Sequence, residues 1–380
     1  MDLDFSEEQR LWSHTVRDFV DREITREYVR RCDMEREYPY EAYQKVADQG
    51  WFGLLIPPEH GGMGFDAYLY VILLQALGRY GVDFGAAFAL PAFSVMNIVK
   101  HGTAAQKEHY LPPFLRGEVR FSISMTEPDA GSDVAAVSTT AVLDGDEIVI
   151  NGGKMFSSAA HARGNVICLL ARTDPAAKRH AGLSLILVPN DIPGITMTRL
   201  PTVARRATGT NQVFFDNVRV PRANLLGALG QGWELITEHL ELERLSVAAI
   251  YAANTLQAVD DAVTYAKQRV QFGRPIAEFQ VIKHMLAQMQ TEADAAQLLV
   301  LRSADRVAKG LPALREVSMA KLYASETLYK VATDGMQILG GYAQLPETDM
   351  ERYWREGKQA MVGGGTSQIQ RSIIARTMGL

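Results

Sequence analysis

Hydrophobic residues recur at helical spacing through the first third of the chain, alternate through the middle and return to helical spacing to the end. In the first third, Ser6-Glu7-Glu8-Gln9 has the form of a capping box ahead of Leu11, Val16 and Phe19. Tyr40 to Gln49 carries a helical pattern that stops before Gly50, and Ile56-Pro57-Pro58-Glu59-His60-Gly61-Gly62-Met63-Gly64 breaks helix. Helical patterns resume across Tyr68–Tyr80 and Phe84–His101. Thr103 is expected to cap a further helix through Tyr110, ended by Pro112-Pro113.

Near Arg120 the period becomes two. Arg120-Phe121-Ser122-Ile123-Ser124-Met125 reads as a half-buried strand, and Ala141 to Ile150 as two β runs around Asp144-Gly145. Further strands are expected at Val166–Ala171, Leu183–Pro189, Thr196–Leu200 and Gln212–Phe215. From Gly232 the period predicts helices over about 233–270, 277–309, 312–340 and 367–378. The expected fold is mainly α with a central β domain: an N-terminal helical domain (1–119), a β-barrel-like middle domain (120–228) and a C-terminal four-helix bundle (229–380).

One position disturbs the last pattern. Ile236, Leu240, Glu243, Val247 and Ile250 form one helical stripe, so a carboxylate occupies a place that calls for an apolar side chain. A carboxylate without a partner is costly to bury. Glu243 is therefore a tolerated solvated residue, a member of an ion pair, or a residue with chemistry to perform.

Composition narrows the classes. The chain has 380 residues, 47% hydrophobic and 22% charged, with net charge −5. That suits a globular enzyme of two or three domains, and scattered basic residues make nucleic acid a poor partner. Cys32 and Cys168 have no redox or metal spacing, and the eight histidines are not at metal-ligand spacing, so no metal is expected. No apolar run approaches the roughly 20 residues of a membrane span. The acidic start Met1-Asp2-Leu3-Asp4-Phe5 lacks the character of a leader. A cytoplasmic protein without membrane insertion is expected. Gly-x-Gly-x-x-Gly, P-loop, His-Glu-x-x-His and Gly-x-Ser-x-Gly motifs are missing.

Met125-Thr126-Glu127-Pro128-Asp129-Ala130-Gly131-Ser132-Asp133 follows a strand and is dense in hydroxyls, glycine and acids. Such a loop either offers amides and short donors to a polar ligand or simply turns the chain.

Thr126 to Asp133 resembles the signature of the acyl-CoA dehydrogenase family. Further segments in the same order strengthen the likeness: Asn151-Gly152-Gly153-Lys154-Met155-Phe156; Arg206-Ala207-Thr208-Gly209-Thr210; Phe215-Asp216-Asn217-Val218-Arg219-Val220-Pro221; Arg269-Val270-Gln271-Phe272-Gly273-Arg274-Pro275-Ile276; Gln337-Ile338-Leu339-Gly340-Gly341; and Gly365-Thr366-Ser367-Gln368-Ile369-Gln370. The resemblance spans essentially the whole chain.

It implies a flavoprotein that introduces a double bond between the α and β carbons of an acyl-CoA, with FAD as cofactor. By the same resemblance, Ile123, Met125 and Thr126 line the flavin ring, and Phe156, Ser157 and Ser158 flank its other side. Gly131 and Ser132 serve the cofactor and the thioester tail. Arg269, Phe272, Gln280, Gln337 and Gly341, with Thr366 and Gln368 at the last helix, hold FAD, in part from a neighbouring subunit. The planar fork of an arginine suits a pyrophosphate. A homotetramer and electron-transferring flavoprotein as acceptor are implied.

Two departures stand out. Most relatives place the α-proton acceptor as Glu immediately before the Gly-Thr of the last loop, where this chain has Gly364. In isovaleryl-CoA and long-chain acyl-CoA dehydrogenases the base is instead the Glu of a Glu-Arg pair on the long helix, which corresponds here to Glu243-Arg244. The resemblance thus assigns Glu243 as base, Arg244 as a CoA or hydrogen-bond contact, and the amide near Gly364 to the thioester carbonyl. The second departure is Phe156-Ser157-Ser158 where Trp-Ile-Thr is common; it leaves oxygen open as acceptor. An acyl-CoA oxidase or flavin monooxygenase, or a non-catalytic flavoprotein module, are the competing readings.

Overall fold

A computed structural model describes residues 5–177 and 179–380, so the acidic residues Met1–Asp4 lie outside the described part. The chain forms two compact units that cut across its linear order. One holds the chain up to Met34, Ala67–Ala86 and Arg244–Leu380; the other holds Glu35–Asp66 and Ala87–Glu243.

The second unit is built on an eight-stranded sheet. In spatial order its strands are Ile195–Arg199, Thr210–Pro221, Glu147–Ser158, Thr140–Asp144, Asn165–Arg172, Leu183–Pro189 and Leu225–Leu226. Arg120–Ser124 pairs parallel to Asn165–Arg172. The near-continuous apolar run Val166–Ala171 is buried throughout, as expected of a strand covered on both faces. The alternating strands send Ile148, Ile150, Val213, Phe215, Val218 and Val220 into the same core as Ile167, Leu169, Ile186 and Val188.

The expected hairpin forms, but its turn is Gly145-Asp146 rather than Asp144-Gly145, because Asp144 pairs with Glu147. Its second strand continues to Ser158 and its partner runs from Thr210 to Pro221, both beyond the expected ends. Asn151-Gly152-Gly153 would ordinarily weaken a strand. Here the pairing shifts register between Ile150 and Gly152, and again between Lys154 and Ser157, so the irregular residues become bulges within one long ladder.

The other unit is helical. The Ser6–Gln9 capping box forms as expected here; in the β-containing unit Thr103 caps its helix as expected, and Gln106 completes an unexpected box there. The Ala104–Leu115 helix differs from expectation, because it runs through Pro112 and Pro113 rather than ending before them. Buried Leu111 and Phe114 anchor its last turn, and their burial outweighs the backbone hydrogen bonds that the prolines cannot donate.

After residue 232 there are five helices: Gly232–Gln268, Gln280–Ala308, Leu314–Leu339, Met350–Ala360 and Ser367–Thr377. Met350–Ala360 lies in a stretch where periodicity indicates none. Its inward face is charged, with Arg352, Arg355 and Glu356 all buried. Within the helical unit, Asp349 is fully buried and takes ion pairs from Arg30 at 2.9 Å, Arg352 at 3.0 Å and Arg26. Alanines let the helices approach: Ala258, Ala262, Ala266, Ala293 and Ala332 are all buried in one cluster. The Val82–His101 helix has the length and composition to cross a membrane, but most of it is buried inside the protein, as in a core helix.

Candidate active site

Three groups of residues carry the site expectations, and each takes its shape from local backbone. In the β-containing unit, the strand ending at Ser124 presents half-buried Ile123 and leads into half-buried Met125 and Thr126. Glu127 and Ala130 then exchange backbone hydrogen bonds of 3.1 Å, closing a turn over Pro128-Asp129. Gly131 and Ser132 are exposed beyond it, and a Cβ on Gly131 would meet nothing within 4 Å. The second expected segment docks on the first: Met155 N–H donates to Thr126 O at 2.8 Å, and Ser124 Oγ–H donates to Ser157 Oγ at 2.7 Å. The structure thus gathers Ile123, Met125, Thr126, Phe156, Ser157 and Ser158 on neighbouring backbone.

A buried ion pair lies beneath the two segments. Lys154 Nζ donates to Glu127 Oε1 at 2.8 Å and to Met125 O at 3.0 Å. Glu127 also accepts from Ser138 N, Ser138 Oγ and Thr139 N, at 2.7, 2.7 and 2.9 Å. Burial alone would raise the Glu127 carboxyl, but the Lys154 charge and these hydrogen bonds outweigh it and hold it down at about 2. Burial lowers the Lys154 ammonium, and Glu127 opposes that shift.

Phe156 sits in the bulge with φ +60° and is 58% exposed. Phe272 has φ +52° and is 93% exposed. A left-handed backbone costs an aromatic residue on the order of 1–2 kcal/mol. Neither ring recovers that cost by burial within the chain.

In the helical unit, Arg269 and Gly341 line an open cleft of about 610 Å³ with Tyr265, Ile276, Tyr342 and Leu345. The Arg269 guanidinium lies 5.6 Å from the centre of the Tyr342 ring and pairs with no carboxylate among the described residues. A Cβ on Gly341 would meet nothing within 4 Å, so a bulky group can approach the backbone there. Gln280, Gln337 and Gln368 are exposed and, like Phe272 and Thr366, do not line this cleft. Thr366 caps the last helix by accepting from Ile369 N at 3.2 Å.

The turn before that helix is held through its carbonyls. Buried Lys321 donates to Gly365 O at 2.7 Å and to Ala360 O at 3.0 Å, and Gln370 Nε2 donates to Gly364 O at 3.0 Å. Gly364 has φ +65°, a region glycine enters freely. Its N–H finds no acceptor among the described residues. On the Gly232–Gln268 helix, Leu240, Glu243 and Val247 are half-buried, whereas Leu242, Arg244, Leu245 and Ser246 are buried. Glu243 therefore lies on the more open side of a mostly enclosed helix.

Three family models match in succession: the acyl-CoA dehydrogenase N-terminal domain over residues 6–118, its middle domain over 122–218 and its C-terminal domain over 230–379. The chain belongs to the acyl-CoA dehydrogenase family. It is a flavin-dependent oxidoreductase acting on CH–CH bonds. Among its relatives is a protein from Clostridium sporogenes named 3-(aryl)acrylate reductase, 36% identical over 98% of this chain and 99% of the relative. Another, from Acetobacterium woodii, is named caffeyl-CoA reductase-Etf complex subunit CarC, 34% identical over 98% of both chains. The solved structure of butyryl-CoA dehydrogenase from Megasphaera elsdenii superposes with a TM-score of 0.94 at 28% identity, covering both chains completely.

The residues present fit the family cofactor FAD. Arg269 offers an uncommitted cation beside a glycine backbone that a bulky group can approach, as a pyrophosphate requires. The β-containing unit offers the exposed ring of Phe156 on a segment fastened to Thr126, and open space at Gly131. Three features of the structure were not singled out by motif. Glu127 and Lys154 stand inside recognised segments, but their pairing needed the fold. Lys321 looks like an ordinary helix residue in sequence. The same holds for His101, Glu238 and His239, which the fold brings together across 137 residues.

Proposed function

We propose that this chain oxidises an acyl-CoA thioester at its α and β carbons, with Glu243 as the acceptor of the α proton. The observation that carries the proposal is a half-buried carboxylate on the open side of an otherwise enclosed helix, in a family member whose last loop has only Gly363-Gly364-Gly365 where relatives keep a base. Glycine cannot take a proton; a glutamate in an apolar pocket becomes a better base as burial raises its pKa.

In this reading the unpartnered Gly364 N–H donates to the thioester carbonyl oxygen and stabilises the negative charge that develops as the α proton leaves for Glu243. Ser132 and Arg244 contact the CoA portion. Ile123, Met125, Thr126, Gly131, Phe156, Ser157 and Ser158 form one wall of the flavin site, with Glu127–Lys154 fixing the spacing of its two segments. Arg269, Phe272, Gln280, Gln337, Gly341, Thr366 and Gln368 hold the pyrophosphate and adenosine end. Bound FAD supplies the acceptor for the β hydride.

The bare left-handed position of Phe272 suits a ring covered by a neighbouring subunit, as a homotetramer would provide. A relative named as a subunit of an Etf complex supports electron-transferring flavoprotein as the redox partner. Anaerobic mixing of the FAD-loaded protein with a panel of acyl-CoAs tests the proposal. Flavin bleaching by at least one thioester is expected, and an inert flavin across short, branched, aryl and long chains overturns it. Oxygen uptake during turnover without added acceptor would replace the dehydrogenase reading with an oxidase.

A further inference from the structure

Outside the proposed active site, the β-containing unit places His101, Glu238 and His239 together. His101 ends the Val82–His101 helix, and Glu238-His239 lie in the second turn of the Gly232–Gln268 helix. One ligand atom from each falls within 4.8 Å of the other two. His101 Nε2 is 2.6 Å from Glu238 Oε2, and the two imidazole rings meet edge to face with centroids 6.3 Å apart.

A second observation points to a missing partner. His239 is only 7% exposed, and its Nε2 is buried with no hydrogen-bond partner among the described residues. Leaving a buried polar atom unpaired costs on the order of 1–3 kcal/mol, and coordination would remove that cost. An imidazole binds a metal through a ring-nitrogen lone pair, and each of the two rings has one nitrogen in the cluster.

We propose that His101, Glu238 and His239 form a binding site for a divalent transition metal of the zinc class. Two imidazoles and one carboxylate are a ligand set that zinc accepts, with a fourth position left for water. The ligands come from two helices, so the ion would tie the end of one to the start of the other. His239 lies one turn before Glu243, which puts that tie next to the segment bearing the proposed base. The opposing charges are Lys100, which contacts Glu238, and Lys107. Lys100 is 57% exposed at its side chain and can turn to solvent when the carboxylate takes a metal.

The test uses the FAD-loaded protein, stripped with a chelator and titrated with Zn²⁺ by calorimetry, with bound metal counted by mass spectrometry. One equivalent per chain is expected. His101→Gln, at a partly exposed position, should weaken binding at least about tenfold by removing one of three ligands, with the flavin spectrum reporting the fold. Lys100→Met should strengthen it. His239→Gln should abolish it, with the flavin spectrum reporting that the fold is kept. Failure to bind Zn²⁺ in both the unmodified protein and Lys100→Met overturns the proposal. So does binding that His101→Gln leaves unchanged.

Discussion

Lys154 Nζ and Glu127 Oε1 meet at 2.8 Å with both side chains shut away from water. The pair joins the loop after the Arg120–Ser124 strand to the bulged strand that carries Phe156. Removing one partner leaves the other charge buried alone, which costs about 3–5 kcal/mol. Lys154→Met should therefore lower the urea midpoint sharply and loosen FAD, whereas Glu127→Gln/Lys154→Met should regain part of the loss. A single change costing less than about 1 kcal/mol, an ordinary exposed-pair value, would show that the pair does not hold the loop.

Glu243→Gln keeps the shape of the side chain and removes its basicity. The variant should retain FAD and bind acyl-CoA, while flavin reduction under anaerobic conditions slows about 10²–10⁴-fold, the range of general-base catalysis. Normal bleaching would move the base elsewhere. Restoring a carboxylate by Gly364→Glu is not expected to be free of cost. The +65° φ imposes roughly 1–2 kcal/mol on any L side chain there.

The sequence was most legible where period and caps spoke alone. Ser6 and Thr103 cap as their spacing indicates, and the run Val166–Ala171 is the fully buried strand it resembles. Patterning failed where charge took the place of apolar contact. Met350–Ala360 turns Arg352, Arg355 and Glu356 inward, so a period count sees only a polar stretch. It also failed where packing overrode a breaker, as at Pro112-Pro113. At the site, motifs located the loops but not what fastens them. The long-range partners of Lys154 and Lys321 are invisible until the backbone brings Glu127 and Gly365 to them. The Glu243 stripe shows the same limit. Spacing places the residue on one helical face, while only the fold shows that this face is the more open one.

Arg269 tests the cofactor cleft. Its charge has no carboxylate partner among the described residues, so Arg269→Ala should cost little in folding stability. A charge-assisted hydrogen bond contributes about 1.5–3 kcal/mol, so losing it should weaken FAD about 10–100-fold. Flavin remaining after gel filtration, and free-flavin fluorescence on dilution, measure the effect. Full flavin retention in Arg269→Ala would remove this arginine from the site.

Glu356 gives the fold a dependence on pH. Its carboxyl is buried, Val82 N–H donates to it at 2.6 Å, and Asp83 and Asp33 stand near enough to add repulsion. Burial first, then Asp83, raises it to about 8 against the attraction of Arg352 and Arg355. The folded chain therefore holds a proton that the unfolded chain releases near the ordinary carboxylate value. The stabilisation is complete below that ordinary value and is lost as pH rises through about 8. Between the two values unfolding free energy should fall with a slope approaching about 1.4 kcal/mol per pH unit. Glu356→Gln, which keeps the acceptor for Val82 and cannot ionise, should flatten that slope. Denaturant titrations at pH 5, 6, 7 and 8 compare the two proteins, and parallel pH profiles would show that Glu356 stays ionised among its arginines.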